Sequence, residues 1–261
     1  MKEKYVLVTG ASKGLGRAFA EEFAAKKNNL ILIALENEGL DEIASFIKQK
    51  YQIDVRVFET NLADSEAVFR LATKINSEFE VQYLINNAGI GGTSIFSETE
   101  VCHIDNLIMI NIRALSLLTR LLLLNLKRQE KAYILNIASM ASFSPMTYKA
   151  VYSASKAYVY YFSRALSEEL KDHNIVVSVV HPGPMRTNSD VIRRIERQGV
   201  LARIGGLISP EKTAKIAVRE LERKVLFIVP GLMNKLNWIV MRLLPIKLQL
   251  FLGYKLSSRE L

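Results

Sequence analysis

Residues 5–17 read YVLVTGASKGLGR, and this stretch decides the fold. Tyr5–Thr9 is a run of apolar and β-branched residues with no polar alternation, which suits a parallel strand covered on both faces. Gly10, Gly14 and Gly16 follow at once, with Ser12, Lys13 and Leu15 between them, and a helix-period pattern takes over from residue 15. Glycines let the chain turn tightly and bring bare backbone close to a ligand. The helix that follows aims its free N–H groups and its dipole at the same spot, so the turn can cradle a pyrophosphate. Its Gly-x-x-x-Gly-x-Gly spacing differs from Gly-x-Gly-x-x-Gly but does the same physical job. A glycine turn alone can also be a plain connector; its weight here comes from opening a βα series.

That series runs through most of the chain. Further strand patterns stand at 30–34 (LILIA), 55–60 (VRVFET), 83–86 (YLIN), 133–137 (YILNI), 175–180 (IVVSVV) and 225–229 (VLFIV). Helix-period segments fall near 15–27, 38–50, 64–78, 103–129, 150–172 and 210–223. Strict alternation of seven strands with six helices predicts an α/β fold. It is a single Rossmann-type doubly wound domain, a seven-stranded parallel sheet with helices on both faces.

Composition narrows the class. Of 261 residues 49% are hydrophobic and 23% charged, which excludes wholesale disorder because there is ample material for a core. A lone Cys102 excludes an intramolecular disulfide. With only His103, His173 and His181, unpaired in the sequence, no metal site is expected. The start MKEKYVLVTG runs straight into a strand pattern, so no cleavable signal peptide is expected and a reducing, cytoplasmic setting is the default. The net charge of +9 is uneven: residues 1–190 are balanced, and residues 191–261 hold 14 basic against 5 acidic side chains. A one-signed tail suits either an acidic partner or a solvated face.

Which dinucleotide the turn would take depends on the end of the second strand. An acidic residue there binds the ribose 2′-OH of NAD and repels a 2′-phosphate. Ala34 and Leu35 occupy that place, and Lys13 can meet a 2′-phosphate as a point charge, so NADP is favoured. Glu36 dissents, and NAD stays open.

Beyond the turn stand Asn86-Asn87-Ala88-Gly89, Asn111, Ser139, Tyr152-Ser153-Ala154-Ser155-Lys156 and Pro182-Gly183-Pro184-Met185-Arg186-Thr187. Tyr152 and Lys156 are four apart on an expected helix and share a face, and a lysine cation beside a phenol favours the phenolate. With the glycine turn, the series resembles the short-chain dehydrogenase/reductase family, NAD(P)-dependent oxidoreductases, over roughly residues 4–230. The resemblance implies interconversion of a carbonyl and a secondary alcohol by hydride transfer, with Asn111, Ser139, Tyr152 and Lys156 as the catalytic set. Tyr152 would be the acid or base, Ser139 would hold the substrate oxygen, and Asn111 would order a water that links the lysine to solvent.

It also implies cofactor contacts at Gly10, Ser12, Lys13, Gly14, Leu15, Gly16, Ala34, Asn61, Leu62, Asn87, Ala88, Gly89, Tyr152, Lys156, Pro182, Gly183, Met185 and Thr187. Asn61 stands where the family usually has Asp, which puts the adenine contact in question. Residues 1–230 are then the dinucleotide-binding and catalytic domain, with 184–209 as a substrate lid, and 231–261 an apolar-basic extension of the same domain.

Phe143, Met146, Tyr148 and Met185 are candidate pocket residues and favour a hydrophobic substrate: acyl, sterol-like or aromatic. Arg186, Arg193, Arg194 and Arg197 would meet an anionic headgroup or simply face solvent. The long apolar helices at 106–126 and 150–170 predict a homodimer or homotetramer. In the tail, Leu236, Ile239, Val240, Leu243 and Leu244 make an amphipathic stripe beside Lys235, Arg242 and Lys247. Three readings stand for it: it closes the pocket, packs on another subunit, or lies peripherally on a membrane. No nucleic-acid partner is expected, because the basic stretch has few interleaved aromatics. The rival to an enzyme is a non-catalytic redox sensor whose basic tail contacts lipid or nucleic acid.

Overall fold

Successive side chains of a strand face opposite sides, and both sides here are covered. In β1 (Lys4–Thr9), Val6 and Val8 enter one apolar cluster while Tyr5 and Leu7 enter the other. In β2 (Asn29–Ala34), Leu30 and Leu32 part from Ile31 and Ile33 in the same way. All four are fully buried, each worth about 1.5–3 kcal/mol of transfer free energy. Two-sided burial is why these strands read as unbroken apolar runs.

The computed structural model describes residues 3–186, 206–258 and 260. β3 (Val55–Glu59), β4 (Glu80–Asn86), β5 (Ala132–Ile137), β6 (Ile175–Val180) and β7 (Phe227–Ile228) complete a seven-stranded sheet ordered β3-β2-β1-β4-β5-β6-β7. Every neighbouring pair is parallel. The order reverses between β1 and β4, which opens a crevice at the carboxyl ends of those strands.

One face carries α1 (Gly14–Ala25), α2 (Leu40–Tyr51) and α7 (Pro210–Glu222), whose Phe19, Phe23, Ile47 and Leu221 fill the first cluster. The other carries α3 (Ser65–Glu78) and α5 (Leu115–Lys127), with Val68, Ile75, Leu118 and Leu122 in the second. α6 (Ala150–Glu169) adds Val159 against Leu115 and Val179. Two helix starts carry ordinary side-chain caps: Asp64 accepts from Glu66 N at 2.9 Å, and Ser209 from Lys212 N at 3.2 Å.

The helix expected over 103–129 is α4 (Val101–Ile108) and α5 joined by a π-helical turn, Met109–Ala114. The stretch Val101–Lys127 is long and apolar enough to cross a membrane, but Leu118, Leu122 and Leu126 are packed on the sheet.

The expected lid, 184–209, lies for the most part outside the described residues. The tail forms two helices rather than one, α8 (Leu232–Leu243) and α9 (Ile246–Ser257). Of its predicted stripe Leu236, Ile239, Val240 and Leu243 are exposed and Leu244 is half-buried, while Asn234 is the buried residue of α8.

Candidate active site

The glycine turn is a backbone knot. Gly10 has φ +65° and Gly14 +55°, values that glycine adopts without strain. A Cβ on Gly16 would lie 1.9 Å from the Gly10 carbonyl oxygen and 2.6 Å from Asn87 Nδ2, so only glycine fits. Asn87 Nδ2 donates to the carbonyls of Thr9 (2.9 Å) and Gly10 (3.2 Å). Thr9 Oγ1 accepts from the Asn87 and Ala88 N–H groups at 3.0 and 2.9 Å. Leu15 is buried beneath the turn. Lys13 opens α1 without a side-chain cap, and no acidic residue stands in the first turn. An uncapped positive helix end beside bare glycine backbone fits a dinucleotide pyrophosphate.

At the end of β2, Ala34 is buried and Leu35 and Glu36 are exposed. The acidic residue that reaches the turn is Glu38, which sequence reasoning missed: it accepts from Ser12 Oγ and, at 2.6 Å, from Lys13 Nζ. Burial alone would raise the Glu38 carboxyl. The hydrogen bonds from Lys13 and Ser12, with the charge of Lys13, outweigh burial and hold it below the usual carboxylate range.

Asn61 sits exposed after β3 and uses its Oδ1 to accept from Ala63 N at 3.0 Å, while the Leu62 side chain is buried in the core. Pro182 is buried and its carbonyl accepts from Met140 N at 3.0 Å. A Cβ on Gly183 would lie 2.3 Å from Asn234 Oδ1, so α8 packs directly behind that segment. Met185 packs on the α1–α2–α7 cluster. Thr187, with Arg193, Arg194 and Arg197, lies outside the described residues.

The predicted acid–base residues converge on the loop after β4. Asn111 sits in the π-helical turn and is buried; its Oδ1 accepts from Ile90 N, and its Nδ2 donates to Ile90 O, all at 2.9 Å. Nδ2 also donates to Ser155 Oγ at 3.0 Å. A π-bulge re-aims side chains within a helix. Lys156 Nζ donates to Ile137 O at 2.9 Å and lies 6.0 Å from the centre of the Tyr152 ring. A Cβ on Gly89 would be 3.1 Å from Asn111 Oδ1 and 3.2 Å from Lys156 Nζ, so both groups face this glycine. Burial pushes the Lys156 ammonium down to about 8, where it is still mostly cationic at neutral pH.

The Tyr152 ring crosses Gly91, where a Cβ would lie 3.0 Å from its edge; Gly91 was not foreseen. Ser139, two residues past β5, caps a short 3₁₀ turn, Met140–Phe143, with its Oγ accepting from Ala141 N at 3.1 Å. Ser142 Oγ bonds the carbonyls of both Ser139 (2.6 Å) and Lys156 (3.0 Å), which ties the two site elements together.

A cavity of about 250 Å³ opens beside Tyr152, lined among others by Ser94, Phe96, His103, Leu107 and Tyr148. Tyr148 has φ +63°, rare for a bulky residue, and its carbonyl accepts from Ser94 N at 2.9 Å. Of the other expected pocket residues, Phe143 points instead into an aromatic cluster with Tyr160, His181, Phe227 and Trp238. His181 Nδ1 lies 3.2 Å from Ser139 O; a carbonyl only accepts, so Nδ1 carries the proton. Burial among the rings pushes His181 down to about 3, opposed by that hydrogen bond.

Fold and turn together define a doubly wound protein with a dinucleotide cradle at its switch point. The family model for short chain dehydrogenases matches residues 4–197. The chain belongs to that family. It is 34% identical over 194 residues to the very-long-chain 3-oxoacyl-CoA reductase of Anas platyrhynchos, covering 73% of this chain and 62% of that protein. The first relatives it matches are thus aligned over less than two thirds of their length. The Mus musculus reductase is 29% identical over 264 residues, 98% of this chain and 81% of that one. Among solved structures, a short-chain dehydrogenase from Sphingobium yanoikuyae in complex with NADPH superposes with a TM-score of 0.80. It is 26% identical, over 91% of this chain and 92% of that one.

Two outcomes are expected from this geometry. Between pH 3 and 6.5 the unfolded chain binds a proton at His181 that the folded chain refuses, so stability is full above pH 6.5 and falls with pH below it. Urea melts at pH 7.5 and 5.0 should differ by about 2 kcal/mol, and His181→Asn should flatten that slope. Gly91→Ala, which forces the Tyr152 ring aside by a few tenths of an ångström, should leave dinucleotide affinity intact and lower kcat about tenfold.

Proposed function

We propose that the protein is an NADPH-preferring oxidoreductase that interconverts a carbonyl and a secondary alcohol on a hydrophobic substrate of the 3-oxoacyl type. The observation that carries this reading is the gathering of Asn111, Tyr152 and Lys156 around Gly89 and Gly91, with Ser139 tied to the Lys156 backbone through Ser142, beside the dinucleotide cradle and a largely apolar cavity. The similarity to 3-oxoacyl-CoA reductases supports the acyl class of substrate.

When bound, the dinucleotide supplies the hydride. Gly10, Ser12, Gly14, Leu15 and Gly16 would hold its pyrophosphate end, with Lys13, Ala34, Asn61 and Leu62 around the adenosine. Asn87, Ala88 and Gly89 would line its middle, and Pro182, Gly183, Met185 and Thr187 its nicotinamide end. Tyr152 donates its phenolic proton to the substrate oxygen as that oxygen becomes an alkoxide. Ser139 donates a hydrogen bond to the same oxygen and fixes it near the phenol. The Lys156 cation favours the phenolate left behind, and Asn111 holds the loop that Gly89 and Gly91 belong to. In the oxidative direction Tyr152 takes the proton back.

The 2′-phosphate contact falls to Lys13, which must loosen its bond to Glu38 to make it. We assign the catalytic role to residues 1–230 and treat 231–261 as an extension of that domain, fastened to it by Asn234 and Trp238. A homodimer or homotetramer is supported by exposed Ile108, Leu124, Tyr158 and Tyr161 on α4–α6. The single exposed thiol, Cys102, supports a cytoplasmic setting.

NADPH oxidation by purified protein, over 3-oxoacyl thioesters of rising chain length, tests the reading. Turnover should grow with chain length and fall by about 10²–10⁴ in Tyr152→Phe. Binding of dinucleotide with no turnover by the wild type would replace the enzyme with a redox sensor. Lys13→Gln should raise the KM for NADPH about fivefold without moving that for NADH, and Glu38→Gln should lower it.

A further inference from the structure

The tail helices turn most of their large apolar side chains outward; Trp238 of α8, packed on Phe143 and Phe227, is the one ring turned in. In α8 the buried residue is Asn234, whose Nδ2 donates to Gly206 O (2.9 Å) and Pro230 O (2.8 Å). In α9 the buried residues are Gln249, Gly253 and Ser257, four apart on one face, and Gln249 Nε2 donates to the carbonyls of Met241 and Leu244, both at 2.9 Å. Leucines and a phenylalanine point outward instead: Leu232 is 82% exposed, Leu243 78%, and Leu236 and Phe251 about half. A helix in water turns its apolar stripe to the core. Two adjacent helices that do the opposite require an apolar environment outside the molecule.

Charge says which environment. Residues 231–258 hold Lys235, Arg242, Lys247 and Lys255 and no carboxylate side chain. A two-fold contact between copies would set this patch against itself and press cations on cations. An anionic bilayer surface satisfies both the leucines and the lysines.

We propose that α8 and α9 seat the protein on an anionic lipid surface, with their leucine face in the interface and their lysines among the headgroups. The seat adjoins the cavity. Gly253 packs by Pro145 O, the Tyr254 ring lies 5.9 Å from that of Tyr148, and Glu260 bonds Thr93 (2.5 Å) and Lys149 (2.7 Å) at the cavity rim. An apolar substrate dissolved in the bilayer then has a short path to Tyr152. That last step rests on the reductase reading; binding to lipid does not.

Flotation of the full-length protein with vesicles tests it, and needs no turnover. The wild type should float with mixed phosphatidylcholine–phosphatidylglycerol vesicles and much less with phosphatidylcholine alone. Leu236→Gln/Leu243→Gln/Phe251→Gln should partition about tenfold less or weaker still, at unchanged oligomeric mass and dinucleotide binding. Lys235→Gln/Lys247→Gln, which spares the apolar face, should lose about fivefold per lysine. Absence of flotation with the mixed vesicles, equal flotation with neutral ones, or unchanged flotation of the triple variant overturns the proposal. If the triple variant instead falls apart into smaller species while still floating, the face belongs between copies of this chain.

Discussion

Everything in the site hangs on one amide. Asn87, just past β4, donates from Nδ2 to the carbonyls of Thr9 and Gly10 at the end of β1. These strands are neighbours in the sheet but 70 residues apart in the chain, and the sheet order reverses between them. An amide that donates to two carbonyls at once fixes their relative position, and each such bond is worth about 1 kcal/mol. With them satisfied, the Gly10 carbonyl is free to press against Gly16, and α1 starts with its N–H groups aimed into the crevice. The same segment continues into Gly89 and Gly91, so the anion cradle and the acid–base residues are placed by one stretch of backbone.

A second polar layer holds the floor of the site. Asn86 donates to Asn136 Oδ1 (2.8 Å) and Thr119 Oγ1 (3.0 Å), and Asn136 donates to Ser163 Oγ (2.9 Å), all buried. This chain crosses β4, β5, α5 and α6 at the level where Ser139 and Lys156 emerge. Buried hydrogen bonds of this kind are directional where apolar contacts are not, so they fix the relative register of the elements that carry the acid–base set.

The sheet was legible because burial on both faces leaves strands no polar positions, and Tyr5–Thr9 and Leu30–Ala34 therefore stand out as apolar runs. The glycine turn and the Tyr152–Lys156 pair were legible because their chemistry needs those residue types at fixed spacing. Glu38 was not: it acts from four residues beyond β2, through a loop whose course the residue types do not dictate. Gly91 was hidden because its role is the space it leaves for a ring brought in from α6. Phe143 was misplaced among the pocket residues because an aromatic serves a cavity wall and a buried cluster equally well. The tail shows a deeper limit. Periodicity found the stripe of Leu236, Ile239 and Leu243, but a stripe carries no arrow, and only packing shows that Asn234 and Gln249 face inward.

Asn234 touches the chain at two distant places. Its side chain fills the space beside both Gly183 and Gly206, where a Cβ would lie 2.3 and 2.1 Å from Oδ1. One amide on α8 therefore fixes the spacing between the segment after β6 and the segment before α7, and a Cβ at either glycine would overlap it. The three positions are bound as a set: a larger residue at Gly183 or Gly206 needs a smaller one at 234, so substitution at any of them is tolerated only in company.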